Sequence, residues 1–206
     1  MSNSPARLFV IAAPSGAGKT TLVRFLLERN PGLEFSVSYT TREKRTAEVD
    51  GRDYYFVDEA RFMELKDEGE LLESALVFGN YYGTGREQVE QHLEGGNHVI
   101  LEIDWQGARQ VRESMPDCVS VFILPPSSPE LERRLRDRRT DSDEVIARRL
   151  AEARGDMSHW DEFDYVIIND DLDSAVGELE AILQGRGVAS RSSDPGLQEK
   201  LKNLLV

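Results

Sequence analysis

Apolar residues in this chain gather in short runs set between stretches of helical spacing. Residues 8–13 (LFVIAA), residues 98–103 (HVILEI), Val119–Leu124 and Tyr165–Ile168 are of strand length with little polar alternation, which predicts strands buried on both faces. Between them the period changes. Leu22, Val23, Phe25, Leu26 and Leu27 give a broad apolar face to a helix that opens near Lys19 and stops at Asn30, Pro31 and Gly32. Further helices are predicted over residues 86–93 and 106–113. Another is capped by Ser127 or Ser128 with Pro129 in its first turn, one runs from Asp141 or Ser142 to about Trp160, and one spans Leu172–Leu183. Strands that alternate with helices through short connections predict an α/β fold with a parallel sheet and right-handed crossovers. Ligands in such folds collect at the carboxyl ends of strands, which would set residues 14–20, residues 42–45, Asp104 and Asn169 along one rim.

Two stretches break this rhythm. Residues 35–39 alternate as one short strand, and residues 49–83 combine Gly51, the aromatic run Tyr54, Tyr55, Phe56, a helical pattern over 59–68 and a strand-like run over 71–78. They read as a small β-rich insertion with one helix. Residues 185–196 are rich in glycine, serine and arginine and are expected to form a flexible linker, followed by a short amphipathic helix carrying Leu197, Leu201, Leu204 and Leu205. Residues 1–6 are polar and are expected to fray.

Charge and cysteine content narrow the field. A formal net charge of −13 over 206 residues argues against nucleic acid or an anionic membrane as the main partner. The single cysteine, Cys118, sits beside an apolar run and is expected to be a buried thiol in a reducing, cytoplasmic setting. No apolar run approaches the ~18 residues that span a bilayer.

The chemistry concentrates where the first strand meets the first helix, APSGAGKTT. Gly16 and Gly18 let the backbone curl so that successive N–H groups converge, the helix N-terminus adds partial positive charge, and Lys19 adds a full one. That is a phosphate-binding loop, with Thr20 offering a hydroxyl to Mg2+. Its first position is Ala13 where the usual pattern has glycine, and a bare glycine-rich turn is the competing reading. Asp104 ends an apolar strand and serves either as a carboxylate that holds Mg2+ through water or contacts a nucleotide, or as the N-cap of the next helix; Glu102 points to the same side. Arg42, Lys44 and Arg45 form a cationic loop suited to an anion. Arg133, Arg134, Arg136, Arg138, Arg139, Arg148 and Arg149 compete between a solvated helix face paired with Asp137, Asp141, Asp143 and Glu144, and a subset that neutralises a moving phosphoryl group, for which Arg138 and Arg149 are the candidates. His92, His98 and His159 are too scattered to form a metal set.

APSGAGKTT, SVSYTTR, GRDYYF, FGNYYGT, LEIDWQG, FILPPS and VIINDD occur in this order, and together they closely resemble the guanylate kinases of bacteria, which phosphorylate GMP with MgATP. The resemblance covers about residues 7–184, and the family itself uses the APSGAGK form of the loop. It implies a three-layer P-loop NTPase core with a parallel sheet (1–34, 89–125 and 157–184), a small mixed α+β GMP-binding insertion (35–88), a helical lid (126–156) and a C-terminal linker with a short helix (185–206).

The same resemblance implies roles. Ser15, Gly16, Ala17, Gly18, Lys19, Thr20 and Thr21 would hold the ATP phosphates, with Asn169 near adenine. Ser38, Arg42, Arg45, Tyr54 and Tyr82 would grip the GMP phosphate, Glu73 and Thr84 would read guanine, and Asp104 would contact GMP. Lys19, Arg42, Arg138 and Arg149 would act on the transferred group, with Mg2+ as cofactor and GMP, ATP and also dGMP as small-molecule partners. Glu102, where the family often has Asp, and RLRDRR, which places Asp137 and Arg139 where glycines are common, depart from the pattern. The rival readings are a phosphopeptide-binding module of the same fold, in which the phosphate loop is typically degraded, and a kinase for another monophosphate.

Overall fold

All five side chains of the first strand are buried, as an apolar run covered on both faces requires. A computed structural model describes residues 5–137 and 142–204. In chain order it contains β1 (Leu8–Ala12), α1 (Lys19–Arg29), β2 (Leu33–Phe35), β3 (Ser38–Thr40), β4 (Tyr55–Phe56), α2 (Glu59–Asp67), β5 (Leu71–Val77), β6 (Asn80–Gly85) and α3 (Arg86–Glu94). There follow β7 (His98–Glu102), α4 (Trp105–Ser114), β8 (Val119–Leu124), α5 (Ser128–Asp137), α6 (Asp143–Met157), β9 (Tyr165–Ile168), α7 (Leu172–Leu183) and α8 (Pro195–Leu204). A five-stranded sheet has the order β2-β7-β1-β8-β9, and a four-stranded sheet has the order β4-β3-β6-β5. The pairs β2–β7 and β8–β9 are parallel. By its contacts the chain divides into two compact units, Pro31–Val119 with the chain up to Val10, and Ile11–Asn30 with the chain from Ser120 onward.

In the first of these units the small sheet is mixed, β3 running parallel to β4 and antiparallel to β6, which is antiparallel to β5. One face packs on α2. Phe62, Leu65 and Leu71 form a buried cluster there with Tyr39, Val57 and Tyr81 around it, and the rings of Phe62 and Tyr81 stack with centroids 5.3 Å apart. Asp58 fixes the start of α2 by accepting from the N–H of Arg61 at 2.8 Å.

The single strand expected over residues 35–39 is two strands in two sheets. β2 ends at Phe35, and after Ser36 and Val37 the chain joins the second sheet at Ser38. The Ser36 N–H donates to the Ile100 carbonyl at 3.1 Å and its Oγ to Gln88 Oε1 at 3.2 Å. Alternation carries straight through this change of partners, because a period of two reports faces and not neighbours.

In the other unit β8 and β9 are locked together by Asp164, whose Oδ2 accepts from the N–H of Ser120 at 2.8 Å and from its Oγ at 2.7 Å. Leu131 and Leu135 of α5 pack with Ile146 and Ala153 of α6 in a separate small core. Ser127 caps α5 through the N–H of Glu130, and Ser142 caps α6. The stretch expected as a flexible linker is instead anchored. A 3-10 turn at Val188–Ser190 places Ser190 Oγ 2.8 Å from Glu178 Oε2, Arg191 bridges to Tyr165, and α8 buries Leu197 and Leu201. A glycine- and serine-rich composition marks turns, but here two buried leucines beyond it supply the docking energy. Cys118 is a buried free thiol, and among the described residues no helix is long and apolar enough to cross a membrane.

Phe62 is fully buried in the centre of the α2 cluster. Phe62→Ala is expected to lower the free energy of unfolding by about 3–5 kcal/mol in urea titrations, the range for deleting a buried aromatic side chain.

Candidate functional site

The loop between β1 and α1 takes the conformation its glycines permit. Gly16 has φ of 90° and Gly18 φ of 94°, both in the left-handed region, on either side of the fully buried Ala17. A Cβ at Gly16 would lie 2.8 Å from Leu131 Cδ1, and one at Gly18 would lie 2.5 Å from Asn169 Nδ2. Both positions therefore require glycine for space as well as for backbone angle. Helix α1 begins at Lys19 with no side-chain cap and no acidic residue in its own first turn, so the helix itself supplies nothing to offset its N-terminal field. Lys19 is half-buried, while Thr20 and Thr21 are exposed.

The carbonyl of Ala17 is the anchor point of this loop. Asn169, after β9, donates to it from Nδ2 at 2.7 Å, and Arg134 of α5 donates from one guanidinium nitrogen at 3.3 Å. A second nitrogen of Arg134 reaches the Asn169 carbonyl at 3.0 Å, and its Nε bonds Glu130 at 2.7 Å. Hydrogen bonds from Arg133 and then Arg134 hold the Glu130 carboxyl down at about 2. Arg134 was hidden in the sequence among other arginines of one helix. Its spacing of four from Glu130 was visible, but that is also the signature of a solvated pair. Arg138 lies outside the described residues, and Arg149 is half-buried on α6.

The other candidate residues lie on the small sheet and its loops. Ser38 pairs with Thr84, and Thr84 with Glu73, so the three form one row across β3, β6 and β5. All three are buried, Glu73 at 3% exposure and Thr84 at 0%. Thr84 Oγ1 donates to Glu73 Oε1 at 2.7 Å. A register shift between Leu71 and Glu73 marks a bulge in β5 that re-aims the chain just before the carboxylate. Tyr82 lies two residues before Thr84 and on the same face, opposite Thr40.

Arg42 and Arg45 follow β3, a strand of the small sheet, and so do not extend the rim made by the strand ends of the five-stranded one. Arg42 donates to Glu48 Oε1 at 2.7 Å, both side chains being 17% exposed, and its guanidinium lies over the rings of Tyr54 and Phe56 at 5.3 and 5.7 Å. The backbone N–H of Arg45 donates to the other Glu48 oxygen at 2.8 Å. Burial works against the charge on Arg42, but the hydrogen bond and charge of Glu48 outweigh it and raise the guanidinium pKa; the same bond lowers that of Glu48. Burial, then the nearby Glu102 and Tyr82, push the Tyr54 phenol up to about 12, so at neutral pH it is a hydrogen-bond donor. Asp104 is the N-cap of α4, accepting from the N–H of Gly107 at 2.8 Å, with its other oxygen 3.2 Å from Gln106 Nε2. The capping alternative is thus realised.

Among the described residues no group of three or more His, Cys, Asp or Glu side chains is arranged to hold a metal ion. Thr20, an exposed residue in the first turn of α1, brings one hard hydroxyl oxygen next to the glycine loop. That donor set suits Mg2+, which takes one or two protein oxygens and completes its shell with phosphates and water.

Comparison with known proteins places this geometry in a lineage. The family model described as guanylate kinase matches residues 5–186. The guanylate kinase of Aromatoleum aromaticum is 60% identical over 180 residues, covering 87% of this chain and 88% of that protein. The one from Alkalilimnicola ehrlichii is 53% identical over 201 residues, covering 98% and 99%. The crystal structure of guanylate kinase from Anaplasma phagocytophilum superposes with a TM-score of 0.75 at 37% identity, covering 98% of this chain and 96% of that one. Matched along nearly its whole length by sequence and by structure, the chain belongs to the guanylate kinase family.

Proposed function

We propose that this chain is a nucleoside monophosphate kinase that transfers the γ-phosphoryl group of ATP to GMP, giving ADP and GDP. The observation that carries this reading is the Ser38, Thr84, Glu73 row, a buried carboxylate on a sheet face held by a threonine hydroxyl. Guanine offers an N1–H and an exocyclic amine side by side, and a carboxylate accepts both; adenine has an acceptor at N1. Membership of the guanylate kinase family and the uncapped phosphate loop support the same conclusion.

The residue roles follow from charge and donor type. A GMP oxygen attacks the γ-phosphorus while the bond to the ADP oxygen breaks, so the protein's work is to place two anionic groups together and spread their charge. Residues 15–21, with Lys19 and the first N–H groups of α1, hold the ATP phosphates. Arg42 and Arg45, with Ser38 and the phenols of Tyr54 and Tyr82, hold the GMP phosphate, a set of fork donors and hydroxyls suited to a dianion. Glu73 and Thr84 read guanine, and Asp104 contacts GMP in addition to capping α4. Arg149 and Arg138 belong to a lid segment, residues 126–156, over the phosphates, and Asn169 lies near adenine. Thr20 is the protein ligand of Mg2+, with Asp104 acting through water; when bound, the ion neutralises phosphate charge. Residues 35–88 form the GMP-binding part.

An assay of ADP release with MgATP and separately GMP, dGMP, AMP, CMP and UMP tests the reading, with rapid release expected for GMP and weaker release for dGMP. Silence with every acceptor, from folded protein that binds GMP, would move the chain to a non-catalytic binding role. Lys19→Ala is expected to reduce kcat on the order of a hundredfold or more with an unchanged thermal midpoint, the loss found when one preorganised charge donor is removed. Excess EDTA is expected to stop ADP release and added Mg2+ to restore it, with circular dichroism unaltered throughout.

A further inference from the structure

Helix α4 meets strand β5 beside the Glu73 carboxylate, and the fit there is too close to be incidental. A Cβ built on Gly107 would lie 2.4 Å from Glu73 Oε2 and 3.0 Å from its carboxyl carbon, where ordinary contact begins at 3.4 Å. The distal oxygen of Glu73 occupies the space that any side chain at Gly107 would take, while the other oxygen is held by Thr84 at 2.7 Å. One turn further along α4, Gln110 grips the residue next to Glu73. Its Oε1 accepts from the Ser74 N–H at 3.0 Å and its Nε2 donates to the Ser74 carbonyl at 2.8 Å, as a neighbouring strand would. Gly107 and Gln110 are three residues apart and so share one face of the helix.

We infer that Gly107 and Gln110 are positioning residues for guanine recognition. Gly107 admits the Glu73 carboxylate over the helix, and Gln110 fixes the strand that presents it. The Asp104 cap holds the first turn of α4, and with it Gly107, in register against the carboxylate. A methyl group at Gly107 would drive Oε2 away by about the difference between 2.4 and 3.4 Å, far enough to spoil two parallel hydrogen bonds to a base edge. The inference rests on the reading of Glu73 as the guanine acceptor.

The test is a double-mutant cycle of Gly107→Ala and Glu73→Asp, with KM for GMP, KM for ATP and thermal unfolding measured for each. Gly107→Ala alone is expected to lower kcat/KM for GMP on the order of a hundredfold, the effect of a misplacement of about 1 Å, with KM for ATP unchanged. Its thermal midpoint should not fall, because alanine is the better helix former. In the Glu73→Asp background, where the carboxylate is retracted by one methylene and the methyl has room, the same substitution should cause a much smaller loss. Gln110→Ala should raise KM for GMP and leave KM for ATP as it was. Normal GMP kinetics in Gly107→Ala, an equal loss in both backgrounds, or a fall in thermal midpoint with a parallel rise in KM for ATP would each overturn the inference. Should the unaltered protein fail to turn over GMP, the kinase reading falls and this inference with it. Turnover by the unaltered protein and by Gly107→Ala alike would overturn this inference alone.

Discussion

One peptide group, the carbonyl of Ala17, anchors the loop between β1 and α1. Segments distant in sequence, α5 through Arg134 and the end of β9 through Asn169, donate to the same oxygen. Gly16 and Gly18 make this approach possible by bringing Leu131 and the Asn169 amide to distances no Cβ would allow. The magnitudes show which contacts give strength and which give direction. The Glu130–Arg134 pair is a partly solvated i,i+4 ion pair and so a weak source of stability. Leu131 and Leu135, both at 1% exposure, are each worth about 1.5–3 kcal/mol of burial. Packing holds α5 in place, and the arginine orients the loop it reaches.

A different constraint governs the small sheet. A buried carboxylate must be hydrogen-bonded, or its proton affinity rises until it becomes neutral. Glu73 Oε1 is hydrogen-bonded by Thr84 Oγ1, and the two need strands β5 and β6 in one specific register. Around them the charges are arranged so that donors stay donors: the Tyr54 phenol is held protonated, and Arg42 keeps its charge against partial burial. The result is a surface of fixed donors and one fixed acceptor.

Much of this was legible in the sequence. Four apolar runs gave strands of the central sheet because burial on both faces leaves no alternation to misread, and the glycines of APSGAGKTT marked the turn between β1 and α1, where Gly16 and Gly18 take left-handed φ. The family resemblance then pointed to Glu73, Thr84 and the arginines of the β3 loop. What stayed hidden depended on partners. Residues 35–39 alternate continuously, yet Phe35 pairs with β7 and Ser38 with β6. Arg134 is one of several arginines on α5, and only the fold brings it to Ala17. The tail after Leu183 has a linker's composition, and besides the docked leucines of α8 it is tied to Glu178 and Tyr165, neither of which announces a partner.

The alternation along β6 carries one last consequence. Tyr81 stacks on Phe62 in the α2 cluster, while Tyr82 and Thr84 lie on the opposite face, in the row we propose for GMP. Core and recognition surface are written on the same short strand in an interleaved script. Deleting or inserting one residue between Asn80 and Gly85 would exchange the two, turning the Phe62 partner outward and the Glu73 partner inward. Evolution can retune individual side chains on either face, but it cannot edit the length of this strand without losing the α2 cluster and the Glu73–Thr84 pair in a single step.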